Sequence, residues 1–360
     1  MQVGSREVTD AILAPAARES PALREALRAW PGKWYWQDEA AGRIVLVRPL
    51  EDRRPQWGWH GVLFALTVLC TLGAGAILAG SYTPVERPGL LGILSSATEL
   101  LVRVGRGEWA DLLMGWSFAV PLLLILGIYE LGHYLAARRY ALDVSPPWFI
   151  PVPPILSPIG SLGAFIRLRS PVLDRRQLLD VGAAGPLAGF VVAIAVLVWG
   201  YAISERLPLP LEGAPSYVTL ASTRVLLGES LLTSWLRDWL LPGEGAVHLS
   251  LPAFAGWVGV FITGLNLLPL SQLDGGHIAH GLMGKRQRPL ALITVVALLV
   301  LAQTSPNWYL WVAVAFLVGR GRVTHPPVLI ADRPIPAQRW AVGLACLVVF
   351  VLCFVPHPFR

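Results

Sequence analysis

A glutamate and a histidine lie inside one long apolar stretch of this sequence. The segment Gly127-Ile-Tyr-Glu-Leu-Gly-His-Tyr134 holds Glu130 and His133 three residues apart, so a helix would project both from one face. Ionisable side chains in an apolar segment are costly and usually functional. In an H-E-x-x-H motif two histidines bind zinc and the glutamate acts as general base. Here Tyr129 stands at the first histidine position, and a Glu–His pair that merely bridges two helices is the alternative.

A second polar cluster ends the fourth apolar segment, in Asn266-Leu-Leu-Pro-Leu-Ser-Gln-Leu-Asp-Gly-Gly-His277. Asp274 offers hard oxygen ligands, and the two glycines after it let the backbone turn and approach closely. Taken alone, Asp-Gly-Gly is usually just a turn. Together with an intramembrane Glu-x-x-His it favours a metal site, and His277 and His280 follow within the next two helical turns as further candidates.

The composition is that of a membrane protein. Hydrophobic residues make up 54% of the 360 residues and charged residues 14%, against roughly 25% in soluble domains. The net charge of +6 comes from short Lys/Arg clusters between apolar runs, which is the positive-inside pattern and does not indicate nucleic-acid binding. The three cysteines lie in apolar runs, so neither a disulfide framework nor a thiolate zinc cluster is expected. The polar, mixed-charge first 55 residues do not resemble a secretory signal peptide.

Seven apolar runs predict a polytopic, all-α membrane protein. The basic residues fall in alternate loops, which places the N-terminus in the cytoplasm and the C-terminus outside. The predicted spans are 61–82, 112–137, 183–203, 247–269, 288–304, 308–320 and 338–356.

The same pattern divides the chain into four regions. The first region, residues 1–55, is small and cytosolic, with a helix from Ala22 to Trp30 and a short hairpin. The second, 56–110, holds the first span and an external loop. The third, 111–285, is the metalloprotease-like membrane core, and the fourth, 286–360, holds the C-terminal helices. Residues 143–171 carry seven prolines yet remain apolar, so this segment must pack against protein or line a cavity, and 161–169 reads as a strand at the membrane edge. In the external segment 204–246, the amphipathic stretch 222–239 could lie on the interface.

Three motifs together resemble the successive core motifs of the site-2 protease family, the intramembrane zinc metalloproteases. They are Y-E-L-G-H at 129–133, G-A-A-G-P-L-A-G at 182–189 and N-L-L-P-x-x-x-L-D-G at 266–275. The resemblance covers roughly residues 110–285. With the stretch 160–169 and the basic pair that follows it, the chain is most similar to the cyanobacterial and chloroplast branch.

This resemblance implies a core of three transmembrane helices that hold Zn²⁺, a Pro-rich re-entrant loop and a short membrane-edge strand. It implies that His133 and Asp274 are zinc ligands and that Glu130 activates the water that attacks the peptide bond. It further implies that Asn266, and strand residues Gly163 and Phe165, bind a transmembrane or membrane-anchored protein substrate by strand pairing. The expected activity is endoproteolysis near the cytoplasmic face, in a multi-pass protein of the bacterial inner membrane.

Tyr129 departs from the family pattern, which has a histidine at this position. The difference matters for zinc binding because a phenol has a pKa near 10 and its oxygen lies at a different distance from Cα than the imidazole nitrogens. Three alternatives follow: Tyr129 is a poor but working ligand, His277 or His280 takes its place, or the protein binds little zinc and retains membrane proteins without cutting them. A transporter or proton channel would also use intramembrane Glu, His and Asp, but it predicts internal repeats, and the sequence has none that we recognise. The sequence does not indicate the substrate or the oligomeric state.

Overall fold

A computed structural model of the protein describes residues 2–3, 6–18, 20–49, 56–80, 90–169, 172–207, 215–220, 223–326, 328–331 and 333–359. Pro171, Ser222 and the boundary expected near residue 55 lie outside these ranges. The described chain is mostly helical, and it also contains three small sheets. The prediction of a mostly helical protein is therefore confirmed, but the protein is not all-α.

The N-terminal region is a four-stranded antiparallel sheet with two short helices. Its strands lie in the order β1 (Gln2–Val3), β2 (Arg6–Ile12), β4 (Arg43–Pro49) and β3 (Lys33–Asp38). The predicted hairpin is the β3–β4 half of this sheet, and the predicted helix is α2 (Pro21–Ala29). Buried Val8, Val45 and Val47 form the inner face of the sheet. The other short helix is α1 (Pro15–Arg18).

A helix overlaps each of the seven apolar runs, but the count of seven membrane spans stays a prediction. In chain order the helices are α3 (Trp57–Leu78), α4 (Leu90–Gly105), α5 (Trp109–Leu113), α6 (Trp116–Arg139), α7 (Arg175–Ala202), α8 (Leu231–Leu240), α9 (Leu251–Asn266), α10 (Asp274–Met283), a 3-10 turn (Gly284–Arg286), α11 (Gln287–Leu301), α12 (Asn307–Val318) and α13 (Ala337–Cys353). Among the described residues three of them, α3, α6 and α7, are long and apolar enough to cross a membrane. Helices α9, α12 and α13 are apolar but shorter.

Helix α7 begins eight residues earlier than the predicted span 183–203. Its first turns carry Arg175, Arg176 and Asp180, which lowered the hydropathy and suggested a loop. The helix starts there because the Asp174 side chain caps it, accepting a hydrogen bond from the Gln177 backbone N–H at 2.9 Å.

Two strands precede α7 and form a ribbon beside the helices. Strand β5 (Trp148–Pro151) pairs antiparallel with β6 (Ser161–Phe165), so the predicted strand 161–169 is a β-strand over its first five residues. In the described part of the chain β6 has a strand partner on one edge only.

The segment between α7 and α9 is a second sheet, which the sequence did not predict. Its strands are β7 (Glu205–Leu207), β8 (Ser216–Leu220), β9 (Thr223–Leu227) and β10 (Ala246–His248), in the order β7-β10-β8-β9. The amphipathic stretch expected over 222–239 is β9 followed by helix α8, not one continuous element. Helix α8 has one exposed apolar face with Leu231, Trp235 and Trp239.

The N-terminal sheet is tied to the helical core through one buried carboxylate. Asp174 Oδ2 accepts hydrogen bonds from Gln37 Nε2 at 2.5 Å and from Arg333 Nη1 at 3.1 Å. The same arginine also pairs with Asp10 on β2. One fully buried side chain thus connects the sheet, the start of α7 and the segment before α13.

Candidate functional site

Helix α6 brings Tyr129, Glu130 and His133 to the interior of the helical core. Their side chains are 4%, 7% and 6% exposed, as expected for polar groups that face the bundle and not lipid. Helix α10 begins at Asp274 opposite them. Gly275 lets this start approach α9, because a Cβ on Gly275 would lie 2.0 Å from the Leu267 carbonyl oxygen.

His133 is held in one orientation by two contacts. Its Nδ1 lies 2.7 Å from the Val181 carbonyl oxygen on α7, and its Nε2 lies 3.3 Å from Asp274 Oδ2. Because a carbonyl oxygen only accepts, Nδ1 carries the proton in that bond, and in the neutral ring Nε2 presents its lone pair toward Asp274. Such a bond from the far ring nitrogen is how proteins orient a metal-binding histidine.

Tyr129 also contacts the aspartate. Its hydroxyl donates to Asp274 Oδ2 at 2.6 Å, and the Asn266 side chain at the end of α9 lies near this hydroxyl. The structure therefore brings together four of the predicted site residues from three helices, with Asp274 at the centre.

Helix α7 covers these side chains with a glycine face. A Cβ on Gly185 would lie 2.0 Å from His133 Nε2, and a Cβ on Gly189 would lie 2.4 Å from the ring of Tyr129. The glycines leave the space that the imidazole and the phenol occupy, which explains the spacing in the 182–189 motif. Sequence reasoning noticed this motif but did not predict that it forms a wall of the site, nor that Val181 orients His133.

Glu130 connects the site to the strand ribbon. Its carboxylate lies near the backbone N–H of Ile166, the residue that follows β6. The predicted substrate residues Gly163 and Phe165 lie on β6 itself, where Leu162 and Phe165 are exposed. The end of β6 therefore lies near the carboxylate predicted to act as the base.

The other two candidate histidines, His277 and His280, pack against a third histidine, His325. The His325 ring lies 4.9 Å from the rings of both His277 and His280, between centroids. Among the described residues, His277 Nδ1 is buried without a hydrogen-bond partner. Neither His277 nor His280 contacts Asp274 through a hydrogen bond in the described structure. His325 is 45 and 48 residues away from His280 and His277, so the spacing in the sequence does not indicate this group.

The donor set fits a zinc ion only in part. Two ligands of one tetrahedral zinc ion, each bound at about 2.0–2.1 Å, are about 3.3 Å apart, which is the separation of His133 Nε2 and Asp274 Oδ2. The Tyr129 oxygen is closer to Asp274 than a second ligand would be and acts as a hydrogen-bond donor. Within the described ranges, no three His, Cys, Asp or Glu side chains form a group that could hold a metal ion.

Comparisons with known proteins agree with the motifs. The profile of Peptidase family M50 matches residues 117–302, over half of the chain. The chain therefore belongs to Peptidase family M50, the site-2 protease family, and its relatives place it with the chloroplast branch. It is a membrane protein of the zinc metalloprotease class.

Three curated relatives illustrate the similarity. The chain is 30% identical over 253 residues to the probable zinc metalloprotease EGY2, chloroplastic, of Arabidopsis thaliana, covering 68% of this chain and 42% of the relative. It is 30% identical over 262 residues to EGY1 of the same plant, covering 69% and 44%. For EGY3 of Oryza sativa subsp. indica the identity is 27% over 251 residues, covering 65% and 41%. The chain thus spans less than half the length of these relatives, and no solved structure matches it.

Proposed function

We propose that this chain is an intramembrane zinc metalloendopeptidase of the site-2 type that cleaves membrane-anchored protein substrates in regulated intramembrane proteolysis. The observation that carries the proposal is the pairing of His133 with Asp274 across α6 and α10, at the separation of two zinc ligands, beside a buried glutamate. The substrate is a transmembrane or membrane-anchored protein, and the bilayer is the working environment.

Each residue of the site has a part in this proposal. His133 and Asp274 would hold Zn²⁺, which would supply a Lewis acid for the peptide carbonyl and the attacking water. Glu130 takes a proton from that water and returns it to the leaving amide nitrogen, the role of a positioned general base and acid. The Glu130 carboxylate lies near the Ile166 N–H, at the end of β6.

Substrate binding follows from the strand ribbon. A substrate segment that unwinds can add to the free edge of β6 through backbone hydrogen bonds, since such pairing satisfies groups that a helix otherwise keeps internal. Gly163 and Phe165 lie on that strand, and Asn266 reaches the site from α9. The exposed side chains of β6 would then contact alternate residues of the substrate.

The finer membrane arrangement is part of the same proposal. Seven spans, a re-entrant loop over 143–171 and a cytoplasmic N-terminus agree with the positive-inside pattern. The four regions 1–55, 56–110, 111–285 and 286–360 and a location in a bacterial inner membrane are proposed on the same basis.

A second candidate function is a pseudoprotease that binds membrane proteins without cutting them. The specific observation in its favour is the 2.6 Å hydrogen bond from Tyr129 to Asp274, which engages the carboxylate oxygen that faces His133. Either the zinc displaces this hydroxyl, with Tyr129 or His277 completing the ligand set, or the site stays closed by the hydrogen bond.

One experiment separates the two candidates. The purified full chain is assayed in detergent for zinc per chain and for cleavage of a model transmembrane substrate, alongside Tyr129→His and the control Tyr309→His, whose tyrosine is half exposed. Near-stoichiometric zinc with cleavage by the wild type supports the protease. Cleavage that appears only in Tyr129→His overturns it and supports the pseudoprotease.

A further inference from the structure

A polar cavity of about 620 Å³ lies between the N-terminal sheet and the helical core. Three arginines line it, each at a helix end: Arg139 is the last residue of α6, Arg176 lies in the first turn of α7, and Arg339 lies in the first turn of α13. Trp36 and Gln37 on β3 form the opposite wall. None of the residues that line this cavity lies on β5 or β6, and the proposed proteolysis does not use it.

The three arginines differ in how their charge is balanced. Arg339 Nε lies 2.7 Å from Asp180 Oδ1, and the Tyr140 hydroxyl donates to the other oxygen of that carboxylate. This ion pair neutralises Arg339. Burial, followed by the charge of Asp180, raises the pKa of Tyr140 to about 12, so Tyr140 is a neutral donor there.

Arg176 and Arg139 have no such partner. Arg176 donates to the Gln37 carbonyl oxygen, and its Nε is buried without a hydrogen-bond partner among the described residues. In the same ranges Arg139 is exposed and makes no ion pair. The acidic residues that line the cavity, Asp38 and Glu39, are exposed at its rim, and Asp38 Oδ1 already accepts from the Ala41 N–H at 2.9 Å. Two guanidinium groups thus face one cavity, and neither forms an ion pair with a carboxylate among the described residues.

We propose that this cavity binds the phosphate of an anionic phospholipid headgroup between Arg139 and Arg176. Guanidinium groups match phosphate through paired N–H donors, and one such donor of Arg176 is free in the described structure. The ends of membrane-spanning helices lie at the headgroup layer, and basic pockets between such helices bind anionic headgroups. The half-buried Trp36 adds an aromatic side chain of the kind found at that interface.

The test measures lipid binding by the full chain. The protein in detergent is titrated with phosphatidylglycerol or phosphatidylcholine and the bound lipid is counted by native mass spectrometry. We expect a preference for phosphatidylglycerol that falls by about fivefold in Arg139→Gln and by about fivefold again in Arg139→Gln/Arg176→Gln, since each arginine near an anionic surface contributes about that factor. The control Arg138→Gln removes the same charge from the neighbouring residue, whose guanidinium lies over the Tyr134 ring and outside the cavity.

The outcomes are distinct. An equal loss in Arg138→Gln and Arg139→Gln, or no preference in the wild type, overturns the site. Displacement of the lipid by millimolar inorganic phosphate identifies a soluble phosphate compound as the ligand and overturns the lipid assignment. Because Arg176 also contacts the N-terminal sheet, the single variant Arg139→Gln decides the result if the double variant does not fold.

Discussion

The glycine face of α7 gives the sharpest test of how the site is built. In Gly185→Ala the new Cβ would lie 2.0 Å from His133 Nε2, 2.3 Å from Cδ2 and 2.5 Å from Cε1. Ordinary contact begins at 3.4 Å, so the imidazole must move by about 1.4 Å. The ring cannot make this shift and keep both its 2.7 Å bond to Val181 and its 3.3 Å approach to Asp274.

Two magnitudes follow from this displacement. Overpacking of this kind costs about 1–3 kcal/mol of folding free energy. A catalytic geometry displaced by about 1 Å loses roughly 100-fold in rate, and the ligand nitrogen would also leave its zinc-binding position. We therefore expect Gly185→Ala to lower the thermal midpoint, the zinc content and the cleavage rate together.

Gly127→Ala is the matched control, because a Cβ at Gly127 on α6 would meet nothing within 4 Å. A helix-interior glycine replaced by alanine gains about 0.5–1 kcal/mol, so this variant should be as stable as the wild type or more so. All three readouts are measured on detergent-purified protein. Wild-type zinc content and unfolding in Gly185→Ala would refute the placement of His133 against α7.

Three further predictions concern other contacts. Tyr129→Phe should lower the free energy of unfolding by about 1.5–3 kcal/mol in a thermal unfolding assay, because it removes a hydrogen bond to a carboxylate. Tyr309→Phe, on the exposed side of α12, should have little effect in the same assay. Asp174→Asn should cost about 1.5–3 kcal/mol and expose the N-terminal sheet to limited proteolysis, since it removes one of the two carboxylate partners of the buried Arg333 and leaves only Asp10, while the exposed Asp238→Asn should not. Burial raises the pKa of Glu229 despite its arginine partner, so this residue stabilises the fold fully below pH 4.5 and loses that contribution as the pH rises through the folded-state pKa. Glu229→Gln should therefore flatten the dependence of the free energy of unfolding on pH above 4.5. An unchanged slope would contradict this.

Local patterns in the sequence predicted much of the framework. The hairpin at β3–β4, the helix α2, the strand at β6 and the positions of the apolar helices follow from alternation, turn residues and hydropathy, which depend on neighbours in the chain. The sheet between α7 and α9 was missed, because its strands are three to five residues long and pair across a loop. The early start of α7 was missed because hydropathy does not register a capping aspartate.

The candidate site shows the same division. The spacing of Glu130 and His133 and the Asp-Gly-Gly turn predicted which residues meet, and the structure places His133 3.3 Å from Asp274. The hydrogen bond that Tyr129 makes to the same carboxylate could not be predicted, because it depends on how far α6 and α10 stand apart. The roles of these residues in catalysis remain predictions.

The most direct test of the proposed chemistry is the cleavage rate of Glu130→Gln, measured on protein whose zinc content is determined in the same preparation. Glu130 is assigned a proton-transfer role and no ligand role, so zinc per chain should match the wild type while cleavage falls by about 100-fold or more. Glu108→Gln, an exposed glutamate before α5, should cleave at the wild-type rate. Cleavage by Glu130→Gln at the wild-type rate would contradict the assignment of this site as the proteolytic centre.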